Sequence, residues 1–207
     1  MDLNRINYFQ TINEENKMNL RSLQLQYELV KSNNINNQCQ GFRFMFNRFI
    51  TELENNRERL EIYTKQAKVK PEEFDMLKRE YFLSQINFWH VSKNLKEACP
   101  ENSDFVTIIY FYSDKTKCPR CQDQAQVLDY YKLKLKENLL IFALDEEFED
   151  KEPSISLLKQ AYDVQAYPTL IINGGELKYE AVIDKEQMQK VLCNLYRTNA
   201  TRSLICQ

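Results

Sequence analysis

The chain changes character at Cys99-Pro100, and that break restricts its architecture more than any other feature. Upstream, no proline precedes Pro71 and the only glycine is Gly41, so long helices run uninterrupted. A first segment, about 3–31, places Leu3, Ile6, Phe9, Ile12, Leu20, Leu23, Tyr27 and Val30 at spacings of three and four, an apolar helical stripe. The Asn-rich stretch 32–37 reads as a turn. A second helix, about 38–67, carries Phe42, Met45, Phe46, Phe49, Ile50, Leu53, Leu60 and Tyr63. A third opens at Pro71-Glu72-Glu73, a proline and acids suited to a first helical turn, and ends before Pro100. Three long helices with short connections pack antiparallel, and their aromatics make the core. His90, beside Trp89, reads as a packed or surface residue.

Downstream, the texture is that of an α/β fold. The runs 105–112, 139–144 and 169–172 are rich in β-branched and aromatic residues and read as buried strands. Helical spacing covers 121–136, 154–162 and 184–196. Gly174-Gly175 turns the third strand into an antiparallel fourth, 178–183. The acidic run Asp145–Glu152 reads as a solvated loop. The expected class is a mixed sheet with helices on both faces, spanning 103–197, preceded by an all-α region over 1–99 and followed by a tail at 198–207.

Scarcity narrows function. Three glycines cannot build a Gly-rich phosphate loop or dinucleotide fingerprint. One histidine excludes multi-histidine metal sites. With 28 Lys+Arg against 30 Asp+Glu, net charge −2, nucleic acid is not the expected partner.

The informative residues are six cysteines. Cys118-Pro119-Arg120-Cys121 stands where a strand hands over to a helix. Alone, such a pair serves redox exchange, zinc or a structural disulfide. Zinc needs four ligands, and the other cysteines stand singly. A helix N-terminus with Lys115, Lys117 and Arg120 nearby favours the thiolate over the thiol, below its free pKa of about 8.5. Cys118 is then the attacking sulfur, Cys121 the resolving one, with Pro119, Arg120 and Lys117 tuning the thiolate. Cys39 begins the second helix and Cys99 ends the third, so antiparallel packing puts both at one end. Cys193 and Cys206 flank a C-terminal turn. Disulfides Cys39–Cys99 and Cys193–Cys206 are expected, with free thiols the alternative.

Residues 103–197 resemble a thioredoxin-fold domain. The Cys118–Cys121 box follows the matching strand. Tyr162-Asp163-Val164-Gln165-Ala166-Tyr167-Pro168-Thr169-Leu170 is similar to the segment carrying the family's cis-proline, and its Tyr-Pro-Thr core is close to that of protein disulfide isomerase domains. The resemblance implies that Pro168 is cis and faces Cys118, and that the backbone of Tyr167 pairs with the substrate strand. It also implies thiol–disulfide exchange with protein substrates and a redox partner protein, the dithiol serving in place of a cofactor. Departures are Lys117 where members often have tryptophan, a longer loop before Cys118, and Tyr110 at the position of a buried acid. The alternative function is a binding or scaffold module of the same fold, with the helical arm docking a partner or dimerising. Extra bridges would argue for an oxidising compartment outside the cytoplasm, a helical stripe at the start of the sequence fits a domain carried on a membrane anchor, and a cytoplasmic location is the alternative.

Overall fold

The computed structural model of the chain describes residues 18, 21–32, 35–65 and 69–206. Leu3, Ile6, Phe9, Ile12 and Leu20 of the first stripe, and Asn33 and Asn34 of the turn, lie outside them. Residues 21–31 form helix α1, Ile35–Thr64 α2 and Pro71–Ala98 α3. The second helix starts earlier than its Asn-rich entry suggested. Asparagine is only a moderately poor helix former, and the apolar face behind it carries the helix through. The two helices approach closely at Gly41, where a Cβ would stand 2.5 Å from a Val30 methyl. Tyr27 on α1 donates to Asn94 Oδ1 on α3 at 3.2 Å. Phe42 and Phe49 of α2 and Phe82 and Phe88 of α3 are buried. Phe46 and Phe88 meet with ring centroids 4.9 Å apart.

The second half runs β1 (Val106–Tyr112), α4 (Cys121–Leu135), β2 (Leu139–Asp145), α5 (Pro153–Ala161), β3 (Thr169–Ile172), β4 (Leu177–Tyr179), α6 (Lys185–Leu195) and a short α7 (Asn199–Arg202). The strands form one mixed sheet in the order β2-β1-β3-β4. β1 is parallel to β2 and antiparallel to β3, which is antiparallel to β4. The last strand is shorter than expected. The backbone N–H of Ile183 donates to Gln124 Oε1 on α4 at 2.9 Å, which draws the chain off the sheet edge. The β3–β4 turn needs three left-handed residues, Asn173, Gly174 and Gly175, with φ of 50°, 69° and 106°.

Alternation along β1 divides the core. Val106, Ile108 and Tyr110 join Leu128 and Tyr131 of α4 and Met188 and Leu192 of α6. Ile109 and Phe111 join Phe142 and Leu144 of β2, Ile155 and Leu158 of α5, and Phe82 and Phe88 of α3. Helices therefore cover both faces, and one of those coverings comes from the all-α half. The sequence texture changes near residue 99, but the apolar packing is continuous across it. Helix α3 also reaches the sheet edge. Gln85 donates to the carbonyl of Ala143 on β2 at 3.1 Å and accepts from its N–H at 2.8 Å.

The acidic run is not a solvated loop. Asp145 and Glu152 are buried, and a 3-10 turn at Glu146–Phe148 inserts Phe148 into the core. Lys78 pairs with Asp145 at 2.7 Å and Arg79 with Glu152 at 2.9 Å, while Lys151 pairs with Asp75. Successive cations on α3 meet the loop's two ends, and this pairing offsets the cost of removing its carboxylates from water. Cys39–Cys99 ties the start of α2 to the end of α3, and Cys193–Cys206 ties α6 to the tail. Among the described residues no helix is long and apolar enough to cross a membrane.

Candidate redox site

The site grows from the C-terminal end of β1. There the chain leaves the sheet through 113–120 and re-enters regular structure at Cys121, the first residue of α4. Asp114 organises the loop. Its carboxylate accepts from the N–H of Lys117 at 3.1 Å and from the N–H and hydroxyl of Thr116, while its carbonyl accepts from the N–H of Cys118 at 2.8 Å. Cys118 and Cys121 are bridged, with Cα atoms 5.4 Å apart, and both are buried. The N–H of Cys121 donates to the carbonyl of Cys118 at 3.2 Å, so the pair closes a single tight turn at the helix start.

The peptide between Tyr167 and Pro168 is cis, and Pro168 is buried where it leads into β3. The β1–β3 register pairs Phe111 with Thr169, which sets Pro168 at the same end of the sheet as the loop carrying Cys118. Tyr167 packs against the cluster that contains both cysteines. The ammonium of Lys159 lies 5.4 Å from the Tyr167 ring centroid and 2.6 Å from Glu149. Burial pushes the Tyr167 hydroxyl up, with Lys159 opposing.

The charges at this end are not those the sequence suggested. Lys117 faces Glu146 at 3.4 Å and Glu147 at 3.9 Å, and its hydrogen bond to Glu146 raises its pKa. Arg120 pairs with Asp123 at 3.2 Å in open solvent, and Pro119 is exposed. Lys117 and Arg120, two of the three cations expected to favour a thiolate, are thus matched by carboxylates, which weakens their field at the sulfurs, while Lys115 is exposed. Asp114 is held well below the usual carboxylate range, first by a hydrogen bond from Glu147, whose own pKa that bond raises. Ser113 donates to Glu146 at 2.9 Å and joins the acidic loop to the cysteine loop. Sequence reading missed this contact. The acids were visible, but only the parallel β1–β2 pairing puts the two loops at one end.

Tyr110 donates to the carbonyl of Cys121 at 2.7 Å, and burial raises its hydroxyl to about 12. Tyr112 stacks on it with centroids 5.5 Å apart. His90 stands away on α3, its ring 5.1 Å from Tyr27. Among the described residues no group of three or more His, Cys, Asp or Glu side chains is disposed to hold a metal ion.

No protein-family model and no curated protein matches the sequence. Among solved structures, a malarial protein is similar over 45% of this chain and 99% of its own, at 18% identity and a TM-score of 0.36. The J-Trx1 fragment of ERdj5 is similar over 88% of this chain and 98% of its own, at 17% identity and a TM-score of 0.35.

Proposed function

We propose that the chain is a thioredoxin-like thiol–disulfide oxidoreductase acting on protein substrates through Cys118 and Cys121. The observation that carries this reading is the bridged pair at the start of α4, at the same sheet end as the cis Tyr167–Pro168 peptide. The sheet order, with β1 and β2 parallel and a terminal antiparallel hairpin, agrees with that fold. The positive end of the α4 helix dipole favours negative charge, which in this reading stabilises a Cys118 thiolate over the thiol once the bridge opens.

In the reduced protein the Cys118 thiolate attacks one sulfur of a substrate disulfide. A mixed disulfide forms and the other substrate sulfur leaves as a thiolate. Cys121, deprotonated to the surrounding water, then attacks the Cys118 sulfur, expels the second substrate thiolate and restores the bridge. Run backwards, the same exchange oxidises a dithiol. Tyr167 and Pro168 orient the extended substrate. Protein thiols and a redox partner protein are the partners, nucleic acid is not, and no cofactor beyond the dithiol is required. Three disulfides support an oxidising compartment.

A second reading, a binding module with weak or no catalysis, draws on Tyr110. A hydroxyl raised to about 12 takes no proton from Cys121 at neutral pH. One experiment separates the two. In Cys121→Ser, substrate proteins accumulate as mixed disulfides on Cys118, and reductase turnover is lost in Cys118→Ser. Absence of both trapping and turnover in the intact protein overturns the enzyme reading.

A further inference from the structure

Asn199-Ala200-Thr201 has the pattern of an N-glycosylation acceptor, and no other asparagine in the chain is followed by a non-proline residue and then Ser or Thr. We propose that Asn199 accepts an N-linked oligosaccharide, and that closure of the Cys193–Cys206 bridge ends the period in which it can do so. The proposal rests on the oxidising-compartment reading given above.

The two ends of the motif have opposite surroundings. Asn199 is exposed as the first residue of α7, so a bulky sugar there meets water. Thr201 is buried, its N–H is engaged by the Thr198 hydroxyl, and its own hydroxyl lies 3.0 Å from that of Thr198. The turn is fastened from several sides. Asp104 accepts from the N–H of Arg197 at 2.9 Å and of Thr198 at 3.3 Å. The Arg202 guanidinium donates to the carbonyls of Cys193 at 3.1 Å and Tyr196 at 3.2 Å. The disulfide, spanning 13 residues of sequence, encloses the whole motif. An acceptor is read through the threonine hydroxyl as well as the asparagine amide, so the folded, bridged tail hides half of what a transferase must grip. Modification precedes closure, and the finished fold tolerates its product.

The transfer forms a bond between Asn199 Nδ2 and the anomeric carbon of a lipid-pyrophosphate-linked oligosaccharide. The anomeric C–O bond breaks, the lipid pyrophosphate leaves and the amide proton passes to the transferase. The tail is fastened to Asp104, which precedes β1, whereas Cys118 follows that strand. The sugar therefore stands at the opposite end of the sheet from the dithiol.

The full chain, its Asn199→Gln variant and a Cys193→Ser/Cys206→Ser variant are expressed behind a secretory leader in eukaryotic cells. Intact mass is read before and after peptide N-glycosidase. We expect a partly glycosylated wild type, no glycan in Asn199→Gln, and severalfold higher occupancy without the bridge. No glycan on the wild type with all three disulfides mapped, and none on the Cys193→Ser/Cys206→Ser variant, overturns the site. Occupancy that is already complete or unchanged by removing the bridge overturns the competition. Substrate trapping at Cys118 is scored separately, so either failure leaves the redox reading where it stood.

Discussion

Tyr110→Phe separates a structural from a proton-transfer role for a hydroxyl that touches the cysteine turn. The hydroxyl donates to the Cys121 carbonyl at 2.7 Å, and burial raises it to about 12. At pH 7 only about one molecule in 100,000 carries the phenolate, five pH units below that value. That population is too small to serve as base for Cys121. The Cys121 carbonyl also belongs to the first turn of α4, whose i to i+4 ladder leaves it a backbone partner when the hydroxyl is removed. The loss is then one buried hydrogen bond, about 1 kcal/mol, or roughly 2–4 °C in Tm for a chain of this size. Resolution of a Cys118–glutathione mixed disulfide, followed by acid quench, alkylation and mass spectrometry, should proceed at the same rate in both proteins from pH 6 to 9. A proton relay through Tyr110 would instead cost about a hundredfold. A slowing of that order at pH 7 refutes the reasoning.

Two further expectations follow from buried charge. Asp145→Asn leaves Lys78 without its anion among the rings of Phe74, Phe82 and Phe148, and should cost about 2–3 kcal/mol by urea denaturation; a Lys78→Met/Asp145→Asn double variant that is no more stable than Asp145→Asn alone would contradict the pairing. Burial lowers Lys96, on α3, to about 8 from 10.5, so between those values the unfolded chain binds the proton that the folded chain has released. The Lys96 contribution to stability should therefore rise from pH 8 to pH 10 by roughly 1–2 kcal/mol after screening by the water that still reaches the amine, against the opposing contribution of Tyr112, Tyr196 and the other buried tyrosines, which keep a proton that the unfolded chain loses towards pH 10. The slope should be less positive in Lys96→Gln than in the wild type, and part of the rising contribution persists because burial lowers Lys132 in the same direction. An unchanged slope in the variant contradicts the assignment.

Much of the fold was legible because it is written in local periodicity. Pro71, Glu72 and Glu73 mark the start of α3, and Pro100 marks its end. The alternation Val106, Ile108, Tyr110 against Ile109, Phe111 gives β1 two buried faces. The positions of Cys118, Cys121 and Pro168 were readable because each stands at an element boundary. What was not legible depends on contacts between distant residues. Nothing near Lys117 announces Glu146, and nothing near Asp145 announces Lys78, 67 residues earlier. The length of β4 was misjudged for the same reason, since Gln124 lies far upstream of the Ile183 it captures.

The amide of Gln85 has a consequence beyond fastening a helix to a strand. An outermost strand ordinarily offers its free peptide groups to any extended chain that drifts past, which is how sheets recruit unwanted neighbours. At Ala143 both groups are already engaged by one side chain that mimics a peptide unit. A foreign strand cannot lie along β2 in continuous register without first evicting that amide. If unfolded clients are this protein's work, their extended segments are turned away from this margin and left free to reach the end of the sheet where the sulfurs sit.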